Sequence, residues 1–497
     1  MEFGRFKIGM YSHESAGCVM ERELELSRMR SIGYFILFWC ASVSTFGQSL
    51  EQYNWYFGNS TQAIRFNRIT GQPSLVTKAI PMGTGGSATA TDPGNANLLF
   101  YTDGQLIYDA IHTRMPGGLG LTANTSANQP VAICPVPGAA NKNKYFIFTN
   151  TASFTTGGTI SVSVVDMALF GNAAFPSPPL GDIESKNLPT GLSNRSEGMI
   201  LVPHSNGTDY WLITQQVSSQ SFSSTLINAS SYTGTFTTTT VSGLAYPTTI
   251  ANFSYHAGKK KLAAAAQDAS TDAIILDFNP TTGGIALDRY ILNSGKPTTT
   301  NQSIYDVEWS LKGDYLYMSR YGEAGLAADV LQYDYVNPTT TLTSILPSAV
   351  FRSYGLQMAP DSSIYHLYQK VSGGPFLIGK FTKPDTIASQ VNYISAQFAS
   401  TDFAGTQFPS FSPKTNPNLV VSFTSIGTCQ NNNTTFFPDI QPGADSVLWD
   451  FGDTQTSKAW SPVHKFAQAQ TFNVKLTAFY QGQSQSTTQP VTITAFA

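Results

Sequence analysis

Apolar and aromatic residues along this chain gather in short runs separated by turn formers, with no stretch that repeats at helical period. The runs Trp55-Tyr56-Phe57, Leu98-Leu99-Phe100-Tyr101, Tyr145-Phe146-Ile147-Phe148, Tyr210-Trp211-Leu212-Ile213, Leu262-Ala263-Ala264, Tyr315-Leu316-Tyr317 and Ile364-Tyr365-His366-Leu367 begin at intervals of 43, 47, 65, 52, 53 and 49 residues. Runs this short, apolar on both alternating faces, predict strands buried on both sides. Each is followed by a further strand, at Ala63 to Phe66, Leu106 to Asp109, Ile160 to Asp166, Ser224 to Asn228, Ala273 to Phe278, Val330 to Tyr335 and Pro375 to Phe381. Turn chemistry closes several of these, as in Asn279-Pro280-Thr281-Thr282-Gly283-Gly284, where Pro fixes φ and Asn bonds its own backbone. From the second unit onward an upstream strand precedes the run, as in Ile304 to Ser310 before Lys312-Gly313-Asp314.

Repeating units of about fifty residues, each of four short strands, predict an all-β protein built as a β-propeller of about seven blades, 48–412. Facing blades bury both sides of the inner strands, so the Tyr and Phe residues of the runs are expected in interblade cores. The first unit lacks its upstream strand. The unassigned run Thr406-Gln407-Phe408-Pro409-Ser410-Phe411-Ser412 is expected to supply it and close the ring, so that no sheet edge stays open. A partly built eighth blade is the alternative.

Beyond a linker at 413–417, residues 418–497 read as a small β-sandwich. Trp449 and Phe451 alternate into one sheet face, Gly452-Asp453 turns the chain, and Phe472, Val474 and Leu476 face them. The segment Val447-Leu448-Trp449-Asp450-Phe451-Gly452-Asp453, followed by Pro462-Val463-His464-Lys465-Phe466 and Phe472-Asn473-Val474-Lys475-Leu476, resembles the signature of immunoglobulin-like PKD domains. Thr454 and Gln470 stand where that signature has Gly, which bears on local turn shape. The stretches Asn54 to Asn59, Asn97 to Gly104 and Gly355 to Asp361 resemble the propeller region of secreted Bacteroidota proteins that carry PKD modules. That resemblance implies export through the type nine secretion system used by gliding-motility-associated proteins. It also implies a C-terminal sorting domain, and the chain reaches Ala497 without one, so either that domain has been lost or export ends differently.

Residues 29–47 have a signal-peptide layout: Arg30, an apolar stretch from Ile32 to Val43, and the small-residue site Ser44 to Gly47. The apolar stretch is shorter than the roughly 20 residues that span a membrane, so no stable membrane span is expected. Residues 1–28 read as a non-native extension ahead of the true start at Met29. The location implied is secreted or on the outer cell surface. Cys134 and Cys429 remain after cleavage and are expected as isolated thiols.

Of the 497 residues 12% are charged, and the net charge is −3. Nucleic-acid binding needs clustered cations. The densest run, Lys259 to Lys261, is expected to be a solvated hairpin tip, so no nucleic-acid partner is assigned. Asp103, Asp109, His112, Glu197, His204, Asp306, Glu308 and His366 sit at or near strand ends and are the candidates for chemistry. Asp103 and His204 read as turn formers, while Glu308 and His366 are expected to face the central channel. None falls in a metal, nucleophile-elbow or phosphate-loop spacing, so no catalytic, cofactor or metal residue is assigned and the chain is expected not to be an enzyme. The function expected is a monomeric binding protein. The propeller loop face holds a glycan or cell-surface protein, and the PKD domain serves as spacer or auxiliary binder. A structural or adhesive part of a surface or gliding complex is the alternative, and a glycan-active propeller enzyme the third reading. The enzyme reading requires two or three carboxylates clustered in one cavity.

Overall fold

The computed structural model describes residues 50–495 except 69, 80–81, 142, 154–155, 218–220, 242–251, 266–270, 293–303, 323–326, 339–341, 399–402, 414–419, 442–443, 445 and 481–482. The expected extension 1–28, the expected signal peptide 29–47 and most of the expected linker 413–417 thus lie outside the described residues. The chain divides into two compact units, Gln48–Pro417 and one containing Asn418–Ala497.

The larger unit is all-β, and among the described residues it has seven sheets. Sheet I has strands Asn54–Trp55, Gln62–Phe66 and Pro73–Thr77. Sheet II has Ser87–Thr91, Leu98–Thr102, Leu106–Asp109 and Arg114–Leu119. Sheet III runs Val131–Pro135, Lys144–Asn150, Ile160–Asp166, Asp182–Pro189, and sheet IV Arg195–Pro203, Tyr210–Gln216, Ser221–Ile227, Thr237–Val241. Sheet V has Phe253–His256, Lys261–Ala265, Thr271–Asn279 and Gly284–Leu292. Sheet VI has Ile304–Trp309, Tyr315–Arg320, Asp329–Asp334 and Thr343–Ser344, and sheet VII Arg352–Met358, Ile364–Gln369, Phe376–Thr382 and Asn392–Ile394. Within each sheet, strands consecutive in sequence pair antiparallel, which short turns allow.

Successive sheets share their cores, which makes the unit propeller-like. Phe146, Phe148 and Val162 of sheet III pack with Leu201, Tyr210 and Leu212 of sheet IV. Trp211, Ile213 and Phe222, on the other face of sheet IV, pack with Leu262, Ile274 and Phe278 of sheet V. The series returns on itself, because Trp55, Ile64 and Phe66 of sheet I pack with Tyr365, Leu367 and Ile378 of sheet VII. The middle strands are therefore apolar on both sides, the pattern that the aromatic runs predict.

The closing segment departs from expectation in its partner. Pro409–Phe411 pairs parallel with Ser87–Thr91 of sheet II and not with sheet I. Only its side chains reach sheet I, where Phe408 and Phe411 lie 5.0 and 6.0 Å from the Trp55 ring. The route is set upstream, where Thr406 N donates to Thr84 O at 2.8 Å and so leads the chain onto sheet II. Just beyond, Gly85 N and Gly86 N donate to Thr125 O and Ala127 O. A Cβ on Gly85 or Gly86 would come within 2.3 Å of the 127–128 backbone, so glycine is required where these segments pass. Pro409 brings no N–H and suits a strand at the sheet edge.

The smaller unit packs a three-stranded sheet (Val420–Ile426, Asn433–Gln441, Val463–Lys465) with a four-stranded one (Ser446–Asp450, Thr456–Ser457, Thr471–Tyr480, Gln483–Thr492). Trp449, Phe451, Phe472, Val474 and Leu476 share one core with Phe423, Phe436 and Phe466. Asp453 and His464, eleven residues apart, meet at 2.7 Å, and the His464 ring stacks on Phe451 at 4.0 Å. Thr454 has φ +74°, a left-handed conformation suited to glycine.

Cys134 is a free, fully buried thiol. Cys429 is disulfide-bonded, so the expectation of an isolated thiol holds for Cys134 alone. Among the described residues no helix is long and apolar enough to cross a membrane.

Candidate functional site

The innermost strands bring together acidic groups that lie far apart in sequence. Asp306, on Ile304–Trp309 of sheet VI, is buried; its Oδ1 accepts from Val307 N at 2.9 Å. Its Oδ2 accepts from Leu356 N of sheet VII at 2.9 Å and from Gln407 Nε2 of the closing segment at 3.0 Å. These three N–H donors favour the charged form, yet burial outweighs them and pushes the carboxyl up to about 7. Glu308, two residues on, accepts from Ser254 Oγ of sheet V at 3.3 Å; burial, and next the Asp306 charge, raise it well above the carboxylate range. Glu197, on the innermost strand of sheet IV, is pushed up to about 7 by burial against the pull of the Asn128 N–H.

Tyr305 links the group. It lies within electrostatic reach of both Glu197 and Asp306, and its hydroxyl bonds the Thr406 side chain. Asn252 Nδ2 donates to its carbonyl at 2.6 Å. Gln129 clasps Phe253 from the neighbouring segment, donating to its O at 2.9 Å and accepting from its N at 2.8 Å. Carboxyls that keep a proton near neutrality can donate hydrogen bonds to a ligand, or give and take protons in a reaction. Among the described residues no three His, Cys, Asp or Glu side chains come together as a metal site.

The other candidates have structural partners. Asp103 forms the predicted turn, accepting from Gln105 N and Leu106 N, and its second oxygen holds Gly83 N. Asp109 caps Ile111 N and Thr113 N and accepts from Asn172 Nδ2 at 2.8 Å. His112 packs against Tyr56 and Tyr101, and burial lowers its pKa. His204 holds the predicted turn through Asn206 N and stacks on Trp211. His366 does not join the carboxyls around Tyr305. It lies on the second strand of sheet VII, fully buried between Ser353 Oγ at 2.7 Å and Tyr393 OH at 3.0 Å, and burial holds it neutral with a pKa of about 3. The lysine run is not simply a solvated tip: Lys259 pairs with Asp314, and Lys261 with Asp277 and Asp288.

A second feature is exposed. The segment between Asp166 and Asp182 carries Phe170 and Phe175, 47% and 86% exposed with ring centroids 6.4 Å apart, and exposed Leu169. Asn172 ties this loop to sheet II through Asp109 and Arg114 O, beside the turn that carries exposed Ile111. The run Phe175-Pro176-Ser177-Pro178-Pro179 marks a loop in the sequence, but nothing there signals that the rings stay uncovered.

No family model and no curated protein matches the chain. Among solved structures it is similar to a prolyl endopeptidase, at 10% identity and a TM-score of 0.34, over 80% of this chain and 56% of that one. It is similar to a puromycin hydrolase at 10% identity and 0.35, over 79% and 61%. A periplasmic gluconolactonase of Pseudomonas aeruginosa follows at 13% identity and 0.31, over 71% and 97%. The chain thus spans less than two thirds of the first two. At these TM-scores no activity or site is carried over from them. The expectation that the chain is not an enzyme does not stand. The proteins it is similar to are enzymes, and the absence of a contiguous motif excludes nothing when carboxyls converge from different sheets.

Proposed function

We propose that the chain is a secreted or cell-surface binding protein: a seven-bladed β-propeller that holds a glycan or cell-surface protein on its loop rim, followed by an immunoglobulin-like PKD domain as spacer or auxiliary binder. The observation that carries this reading is the exposed Phe170–Phe175 pair, because a soluble surface rarely leaves two adjacent rings uncovered unless a partner covers them. Seven sheets with cores shared from each to the next, and from the last to the first, support the blade count. Trp449 and Phe451 in one core, with Asp453 held by His464, support the PKD reading of 418–497.

Paired glycan and surface-protein arrays probed with the intact chain test the proposal. Saturable binding to a defined set of ligands is expected, and binding to neither array would refute it. A glycan-active enzyme is the second reading. It is favoured by Glu197 and Asp306, two carboxyls from different sheets that both hold protons near neutrality around Tyr305. Turnover of an array hit, abolished in Glu197→Gln, would establish it.

A further inference from the structure

Sheet IV holds a buried cation with no counter-charge among the described residues. Arg195 opens its innermost strand and is 7% exposed, and its backbone is fixed by reciprocal hydrogen bonds with Gly158 at 2.8 and 2.9 Å. Among the described residues no carboxylate pairs with it. Its guanidinium makes one hydrogen bond, from Nη1 to Ser223 Oγ at 2.9 Å, and Nε is buried without a partner. Burial lowers its pKa with no acidic neighbour opposing. Arginine nevertheless stays protonated in proteins, so the charge is present and uncompensated.

The surroundings are built for an acceptor. Thr214 stands directly across from Ser223 in the ladder, so the two share a face, and the Thr214 hydroxyl is also buried without a partner. Gln216, the cross-strand partner of Arg195, lies two residues further along the same face. Ser223 Oγ is steadied from behind by Thr240 Oγ1 at 3.0 Å. The flanking residues Ser193 and Asn194 are exposed, and Gln216 and Val217 are half-buried, so this end of the sheet lies near solvent.

An unpaired buried guanidinium costs more than a well-packed apolar side chain of similar volume. With Nη1 engaged by Ser223, the edge carrying Nε–H remains, and that edge forms a planar fork matched to two oxygens of one anion. We propose that Arg195, Thr214, Gln216 and Ser223 form a binding site for a single oxyanion group, a carboxylate, sulfate or phosphate, at this end of sheet IV. The inference is independent of the aromatic loop, which joins the last two strands of sheet III.

The test uses the intact chain with sodium acetate, sulfate and phosphate, each compared with chloride at equal ionic strength. At least one anion is expected to raise the melting temperature saturably and to shift one arginine Nε–H resonance. Arg195→Met is expected to lose both responses and, in chloride, to melt no lower than the parent. Thr214→Val, which keeps the cation, should weaken the anion at least threefold and covers the case in which Arg195→Met does not fold. Preference for acetate points to a carboxylate-bearing ligand, and preference for sulfate or phosphate to a sulfated or phosphorylated one. No saturable response to any of the three, or an unchanged response in either folded variant, overturns the site.

Discussion

Asp306 and Glu197 make the stability of this protein depend on pH with a definite sign. Both are raised to about 7, from ordinary values of 3.8 and 4.5. Between those limits the folded state holds protons that the unfolded chain has released, so each group removes stability as pH rises from about 4 to about 7. His366, lowered to about 3, acts in the opposite sense and adds stability as pH rises from about 3 to about 6.5. The carboxyl effect is therefore read from a difference: Asp306→Asn should gain melting temperature relative to the parent as pH goes from 5 to 8. A difference that stays constant with pH would show that Asp306 is ionised throughout. Thr454 gives a second test at this scale. A β-branched residue at φ +74° is strained, so Thr454→Gly should stabilise the smaller unit by about 0.5–1 kcal/mol in chemical denaturation, less any entropy gained by the unfolded chain. This position was legible in the sequence as a departure from the resembled signature. The buried carboxyls were only half legible: residue type and strand-end position nominated Glu197, Asp306 and Glu308, but nothing linear places Glu197 of sheet IV beside Tyr305 of sheet VI.

Among the elements, the closing segment is the most informative. Its apolar residues mark it as a buried strand, and Phe408 and Phe411 do pack on Trp55. Its partner was not legible, because a three-residue strand of Pro, Ser and Phe carries too little alternation to fix register, and sheets I and II offer adjacent edges. Ending the chain at Ala404 removes these rings and the Gln407 bond to Asp306, and bares the Ser87–Thr91 edge. That variant should aggregate or melt well below one ended at Thr415. Equal melting would mean that the segment contributes nothing to the ring. In the smaller unit the core element is the strand carrying Trp449, whose ring meets Phe423 and Phe436 at 5.1 and 5.4 Å. Trp449→Ala should cost about 3–5 kcal/mol there, measured by denaturation of that unit's signal.

At the scale of the molecule, the periodicity of aromatic runs carried the all-β, propeller-like architecture, since strands become apolar on both sides where sheets are covered on both faces. Function was far less legible. The sparse charge argued against nucleic acid, but the exposed rings and the buried carboxyls depend on which loops and strands converge, which periodicity does not encode. In the proposed function the uncovered aromatic loop engages the partner. The direct measurement is the dissociation constant of the tightest array ligand for the intact chain and for the double variant Phe170→Ala/Phe175→Ala. Phe175 is 86% and Phe170 47% exposed, so the double variant should melt within a few degrees of the parent and bind at least tenfold more weakly. Unchanged affinity in a double variant of unchanged stability would contradict a role for these rings in binding.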